Sequence, residues 1–208
     1  MDLATAPYAG TVPLMSRIRA LSAAEAGPLG RAVYAYSRRE FGRVPEPLAV
    51  TANHTGLMVG LCAFEMATDR ARRVPKHLKE LAEMKAAVMA GCEWCIDFGA
   101  FLVDRDGMAP EQVRELSHHR ESAAFDELEL LVLDYAEGMW STPVAVSDEL
   151  VEELRRHLDD AQMVELTSVI ALENYRARFN WALGIGSQGF ADGAACALPD
   201  MRAASAPA

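Results

Sequence analysis

ELAEMKAAVMAGCEWCIDFG, residues 80–99, holds an apolar-periodic helical run, a glycine and two cysteines spaced C-x-x-C. Glu80 and Glu83 open the run, and Gly91 before Cys92 is a natural break between helices. Positions i and i+3 share a helix face, so Cys92 and Cys95 can close a short disulfide or present two thiols side by side. If a second helix starts near Cys92, both sulfurs lie in its first turn. Free N–H groups and the helix dipole favour thiolate there, against a free thiol near ~8.5. Glu93 and Asp97 oppose that effect as nearby negative charges.

The distance from Glu80 to the cysteines depends on where the chain turns. Along one unbroken helix Glu80 lies about 18 Å from Cys92, at ~1.5 Å per residue. If the chain reverses near Ala90–Gly91, position 80 packs opposite position 99. A carboxylate there reaches the Cys95 thiol through one water or one side chain. The hairpin therefore makes Glu80 a candidate proton acceptor. A glutamate near the start of a helix is also favoured by the dipole alone.

The pattern E-x(11)-C-x-x-C, with Lys79-Glu80-Leu81 and Ala90-Gly91-Cys92-Glu93-Trp94-Cys95 around it, resembles the alkylhydroperoxidase D and carboxymuconolactone decarboxylase superfamily. The resemblance is closest over residues 76–103 and extends more weakly over 44–190. It implies an all-α alkylhydroperoxidase D-like fold assembled as a trimer or hexamer. It further implies that Cys95 attacks a hydroperoxide or a disulfide, Cys92 resolves, Glu80 takes the proton, and an external dithiol restores the pair. The redox branch continues C-x-x-C-x-x-x-H. Here that histidine is Gly99, which leaves room for a water between Glu80 and Cys95.

At 208 residues, 51% hydrophobic and 24% charged, the chain suits one soluble globular domain. The formal net charge of −10 argues against a nucleic-acid backbone or an anionic membrane as partner. No run of 18 apolar residues reads as a membrane span, and the N-terminus lacks a basic start followed by an apolar stretch, so the expected location is cytoplasmic. Cys62 and Cys196 are solitary. In such a chain a C-x-x-C pair suits catalysis or metal better than a structural staple.

The chain divides into an irregular arm over 1–25, one domain over 26–191 and a disordered tail over 192–208. Helices are expected from Pro28 to Phe41 and from Pro47 to about Thr68, broken near Asn53–Gly56, with His54 as a capping or surface residue. Pro75 opens the helix carrying Glu80. The cysteine helix ends near Gly107, and a short helix runs from Pro110 to about Leu116. Ser117-His118-His119-Arg120 reads as a solvated connector. Asp126, Ser147 and Asp159 or Asp160 start the remaining helices. The last of them, apolar over much of its circumference, should be central. About seven or eight helices result, with no strand. Glu165-Leu166 echoes Glu80-Leu81, suggesting a duplicated helical hairpin that keeps its chemistry in one half.

Several other readings compete for these residues. Zinc would need two more ligands, and adjacent His118-His119 and the lone Cys62 and Cys196 do not have ligand spacing, so no metal or other cofactor is expected. An inert buried cysteine pair fits poorly with the partly polar Glu93, Trp94 and Asp97, since reactive cysteines favour such settings. Trp94 suits a lid or packing role. Asn174, Arg176 and Arg178 could line the same cavity, or form an exposed face or a subunit contact. Non-redox decarboxylase-like lyase chemistry is an alternative that the paired cysteines oppose. A non-catalytic oligomeric protein is the other.

Overall fold

The computed structural model describes residues 16–106 and 109–191. The expected tail, residues 1–15 of the expected arm, Gly107 and Cys196 lie outside the described residues. Among those residues there is no strand; nine α-helices and one 3-10 turn make up the fold. They are α1 (Gly27–Phe41), α2 (Glu46–Thr51), α3 (Thr55–Arg70), α4 (Lys76–Ala90), α5 (Glu93–Asp106), α6 (Pro110–Glu115), the 3-10 turn Leu116–Glu121, α7 (Glu127–Trp140), α8 (Asp148–His157) and α9 (Asp160–Leu183). The break at 52–54 makes two helices, α2 and α3, of the run after Pro47.

Local chemistry fixes the helix starts. Asp126 accepts from Glu129 N while the Glu129 carboxylate accepts from Asp126 N, a reciprocal box that opens α7. Asp159 and Gln162 do the same for α9, and Ser147 caps α8. His54 Nδ1 accepts from Leu57 N and caps α3. The echo at Glu165–Leu166 falls within α9, which runs on unbroken where α4 stops at Gly91. Both stretches are helical, but only the first is followed within twelve residues by a turn.

Helix α4 is the centre of the molecule. Leu78, Leu81, Ala82, Met84, Ala86, Ala87 and Val88 are all buried on it, and its main packing partners are α7, α9 and α5. Alanines at 82, 86 and 87 let neighbouring helices approach closely, while each buried leucine contributes roughly 1.5–3 kcal/mol. α9 answers with Leu166, Val169, Ile170, Leu172 and Ala177, also buried. Lys79 bridges the two helices: its Nζ lies 3.1 Å from Glu165 and donates to the Thr68 and Ala71 carbonyls.

Ser117, His118 and Arg120 are exposed as expected of a solvated connector, but His119 is not. His119 is only 2% exposed. Its Nε2 lies 2.8 Å from Asp134 Oδ1, and Lys85 Nζ lies 3.3 Å from its Nδ1. Lys85, also buried, donates its other hydrogens to Leu116 O and Glu137. With three donors and three acceptors the ammonium is fully satisfied, and His119 accepts at Nδ1 and donates at Nε2. Burial pushes the Glu137 carboxyl up, but Lys85 and then Arg120 outweigh it and hold the group below its ordinary range. Sequence spacing missed this because the partners come from α4 and α7.

Residues 16–26 are irregular and pack on their own chain: Leu21 N donates to Ala49 O, and Arg17 N to Leu183 O at 2.7 Å. Helix α3 differs from its neighbours. Only Met58 and Thr68 are buried on it, while Leu57, Val59, Phe64 and Met66 are exposed.

Candidate active site

Gly91 adopts φ 59° and ends α4 with its N–H turned to the Ala87 and Val88 carbonyls. That left-handed conformation suits glycine. Cys92 N then donates back to Ala87 O at 3.2 Å, and α5 begins at the next residue. Cys92 caps the new helix: its Sγ accepts from Cys95 N at 3.3 Å, and its carbonyl accepts from Ile96 N. The expected placement of both sulfurs at a helix start therefore holds. Cys92 and Cys95 form a disulfide, with Cα atoms 5.2 Å apart.

The setting is more closed than the sequence suggests. Cys92 and Cys95 are 2% and 5% exposed and belong to the main apolar cluster. Glu93 faces solvent. Asp97 is buried, but its carboxylate is turned to the segment after α9: Oδ2 accepts from Gln188 N and Ser187 Oγ at 2.9 Å, and Oδ1 from Ala191 N at 2.8 Å. Gln188 also accepts from Trp94 Nε1 at 2.8 Å. Phe190 packs edge-on against Trp94 and Phe98, and Arg43 lies over its ring while donating to the Gln188 and Gly189 carbonyls. Residues 185–191 thus form a strap across α5. Trp94 is the packing residue expected, stacked on Phe98.

The register of the α4–α5 hairpin differs from the expectation. Placing 80 opposite 99 requires a reversal inside α4; the chain instead turns at Gly91–Cys92. Met84 therefore faces Gly99, and its Sδ occupies the space that any side chain at 99 would need. The room expected for a water is filled by a thioether. Glu80 lies one turn farther from the cysteine loop than Met84, its largely covered carboxylate 3.5 Å from Lys76 Nζ.

Asn180 reaches the sulfurs and was not legible in the sequence. It comes from α9, is almost wholly buried, and its Nδ2 lies 3.6 Å from Cys95 Sγ and 3.7 Å from Cys92 Sγ. The only hint was a polar residue within the apolar circumference of α9.

On the same helix, Arg176 occupies a carboxylate cluster. It binds Glu65 through two nitrogens and donates to Glu83 and Glu173 at 2.9 Å. Burial pushes the Glu173 carboxyl up to about 7; Arg176 pulls it down, while Glu83 and Glu65 add to the rise. Burial alone would lower Arg176, but the three carboxylates hold it protonated. Asn174 and Arg178 instead line a separate open cavity of about 260 Å³ with Met139, Thr142 and Val144. Cys62 is half-buried, and burial, then Glu65, pushes its thiol up.

A helical hairpin that brings a C-x-x-C disulfide to a helix start defines a class of all-α dithiol proteins. The family model described as the carboxymuconolactone decarboxylase family matches residues 56–138. The uncharacterized protein YnjA of Escherichia coli K12 is 30% identical over 166 residues, covering 79% of this chain and 88% of that protein. The chain belongs to the carboxymuconolactone decarboxylase family. The alkyl hydroperoxide reductase Rv2159c of Mycobacterium tuberculosis is 36% identical over 83 residues, covering 40% of this chain but only 24% of that protein. The fold matches the debrominase Bmp8 with a TM-score of 0.77 at 19% identity, over 90% of this chain and 98% of the other. It also matches an alkylhydroperoxidase AhpD core protein of Ralstonia eutropha JMP134, with a TM-score of 0.75 at 16% identity, over 84% and 94%. The fold is therefore alkylhydroperoxidase D-like.

Proposed function

We propose that this chain is a thiol-dependent oxidoreductase that reduces a hydroperoxide or a disulfide with the Cys92–Cys95 pair. The observation that carries the reading is the bonded pair at the start of α5, with an amide donor against both sulfurs. One thiolate attacks the terminal oxygen of a hydroperoxide, the O–O bond breaks, and the alkoxide takes a proton. The second sulfur displaces water from the resulting sulfenic acid and closes the disulfide. An external dithiol returns two electrons and two protons. The resemblance assigns the attack to Cys95 and resolution to Cys92, an order that depends on which sulfur carries the charge when Gly99 replaces histidine. It also assigns Glu80 the proton. Its support is that Glu80 shares an α4 face with Met84 one turn from Gly99.

The molecule works without a bound metal or organic cofactor in this reading, as a cytoplasmic homo-oligomer. The apolar exposure of α3 supports assembly, and the net charge of −10 disfavours nucleic acid and anionic membranes as partners. The burial of both sulfurs favours a second reading, a non-catalytic family member. Consumption of an alkyl hydroperoxide and of a disulfide, with several dithiol donors, separates the two. Because Bmp8 shares the fold, 2,3,4-tribromopyrrole belongs in the same panel. Turnover lost in Cys92→Ser and Cys95→Ser supports the first reading; no turnover with any substrate, and no loss of two free thiols on mild oxidation, supports the second.

A further inference from the structure

In the disulfide state Asn180 is poorly satisfied. Its two Nδ2 hydrogens face two disulfide sulfurs, which are weak acceptors, and its buried Oδ1 has no hydrogen-bond partner among the described residues. A buried amide left in this condition calls for another state of the site in which its groups find partners.

Reduction supplies that state. An external dithiol reduces the Cys92–Cys95 bond by two electrons and is itself oxidised to a disulfide; the pair takes up two protons. Loss of one proton to solvent leaves one thiolate and one thiol. A thiolate is a charged acceptor for Nδ2–H, and a thiol is a donor for Oδ1. Asparagine offers both in one side chain without adding charge.

The two sulfurs are not equivalent as anions. Cys95 Sγ has the amide of Asn180 at 3.6 Å. Cys92 Sγ has the same amide at 3.7 Å and, in addition, the backbone N–H of Cys95 at 3.3 Å. Cys92 also stands at the capping position of α5, where the dipole favours negative charge. At position 99, where the family's histidine would serve Cys95, there is only Gly99 covered by Met84.

We propose that Asn180 is a catalytic residue that, together with the Cys95 backbone N–H, holds the charge of the reduced pair on Cys92. Cys92 is then the first nucleophile and Cys95 the resolving thiol, with Asn180 Oδ1 accepting from the Cys95 S–H. This rests on the dithiol reading above and reverses the order that the resemblance implies.

The test follows thiolate absorbance at 240 nm against pH in reduced Cys92→Ser and Cys95→Ser proteins. The thiol of Cys92, read in the Cys95→Ser protein, is expected to titrate at least one pH unit below that of Cys95, a tenfold larger thiolate-to-thiol ratio. Adding Asn180→Ala, or Asn180→Ser if the alanine protein does not fold, should bring the Cys92 titration up by about one unit. The circular dichroism should be unchanged. A lower titration for Cys95 than for Cys92 overturns the assignment, and so does a Cys92 titration that ignores position 180. Neither readout needs turnover, so failure of this proposal is distinct from failure of the peroxidase or disulfide-reductase reading.

Discussion

The Sδ of Met84 rests against Gly99, so the position where relatives of the redox branch are expected to carry an imidazole is closed by a thioether from the facing helix. Gly99→His alone must displace Met84 within the packed hairpin, and overpacking of this kind costs about 1–3 kcal/mol. Gly99→His with Met84→Ala makes the space. Thermal unfolding should register the loss in the single variant and a partial return in the double. If the imidazole then serves the pair as acid and base, dithiol turnover should rise about tenfold or more in the double variant only. Equal stability of the single variant and wild type would count against the close contact.

Glu173 makes stability depend on pH. Its folded carboxyl keeps the proton to about pH 7, while the unfolded group loses it near 4.5. Between these values the folded state binds more protons, so stability falls as pH rises through the window and levels off above 7. The loss attributable to this group is up to about 3 kcal/mol. Glu173→Gln keeps an acceptor for Arg176 and removes the titration. Urea unfolding between pH 4.5 and 8 should show a flatter profile in the variant, and identical slopes would exclude the assignment.

His119 joins Lys85 to Asp134 across three elements. His119→Ala leaves the buried ammonium short of an acceptor and opens a cavity. The expected cost is about 2–4 kcal/mol in urea unfolding. His118→Ala, one residue away, is the control and should change stability by less than about 0.5 kcal/mol, as expected for a substitution away from such features.

The strap over α5 hangs on the Asp97 carboxylate, whose two oxygens accept from three donors. Asp97→Asn turns one acceptor into an N–H facing other donors. Hydrogen exchange at the Gln188 and Ala191 amides should speed up, and tryptophan emission should shift to the red as Trp94 loses Gln188. Unchanged exchange at both amides would show that the strap is held by its aromatic contacts instead.

Leu57 and Phe64 are 61% and 45% exposed on α3, a helix carrying no charge from Thr55 to Phe64. A helix apolar on most sides is ordinarily covered. With a second copy of the chain as the cover, Leu57→Lys combined with Phe64→Glu should reduce the mass found by sedimentation without loss of helicity. An unchanged mass assigns the cover to another partner, or to none.

The sequence carried the helices because their punctuation is local. Asp126 with Glu129, Asp159 with Gln162, Ser147, Pro75 and Gly91 each act within a few residues. The cysteine pair was legible for the same reason. Asn180 was not, because it stands 85 residues from Cys95 and no spacing rule links α9 to α5. His119 looked solvated because its own segment is polar, and its burial is decided by Lys85 and Asp134. Met84 comes to lie against Gly99 because the chain turns at Gly91–Cys92: a spacing fixes distance along the chain but not how far two helices overlap.

Arg17 N meets Leu183 O, and Arg17 also donates to Ala182 O, so the first described residues are stitched to the last turn of α9. A mechanical load drawing residue 17 away from α9 would act first on that small group of bonds. Under such a load the arm should peel from the end of α9 while the helices behind it stay packed.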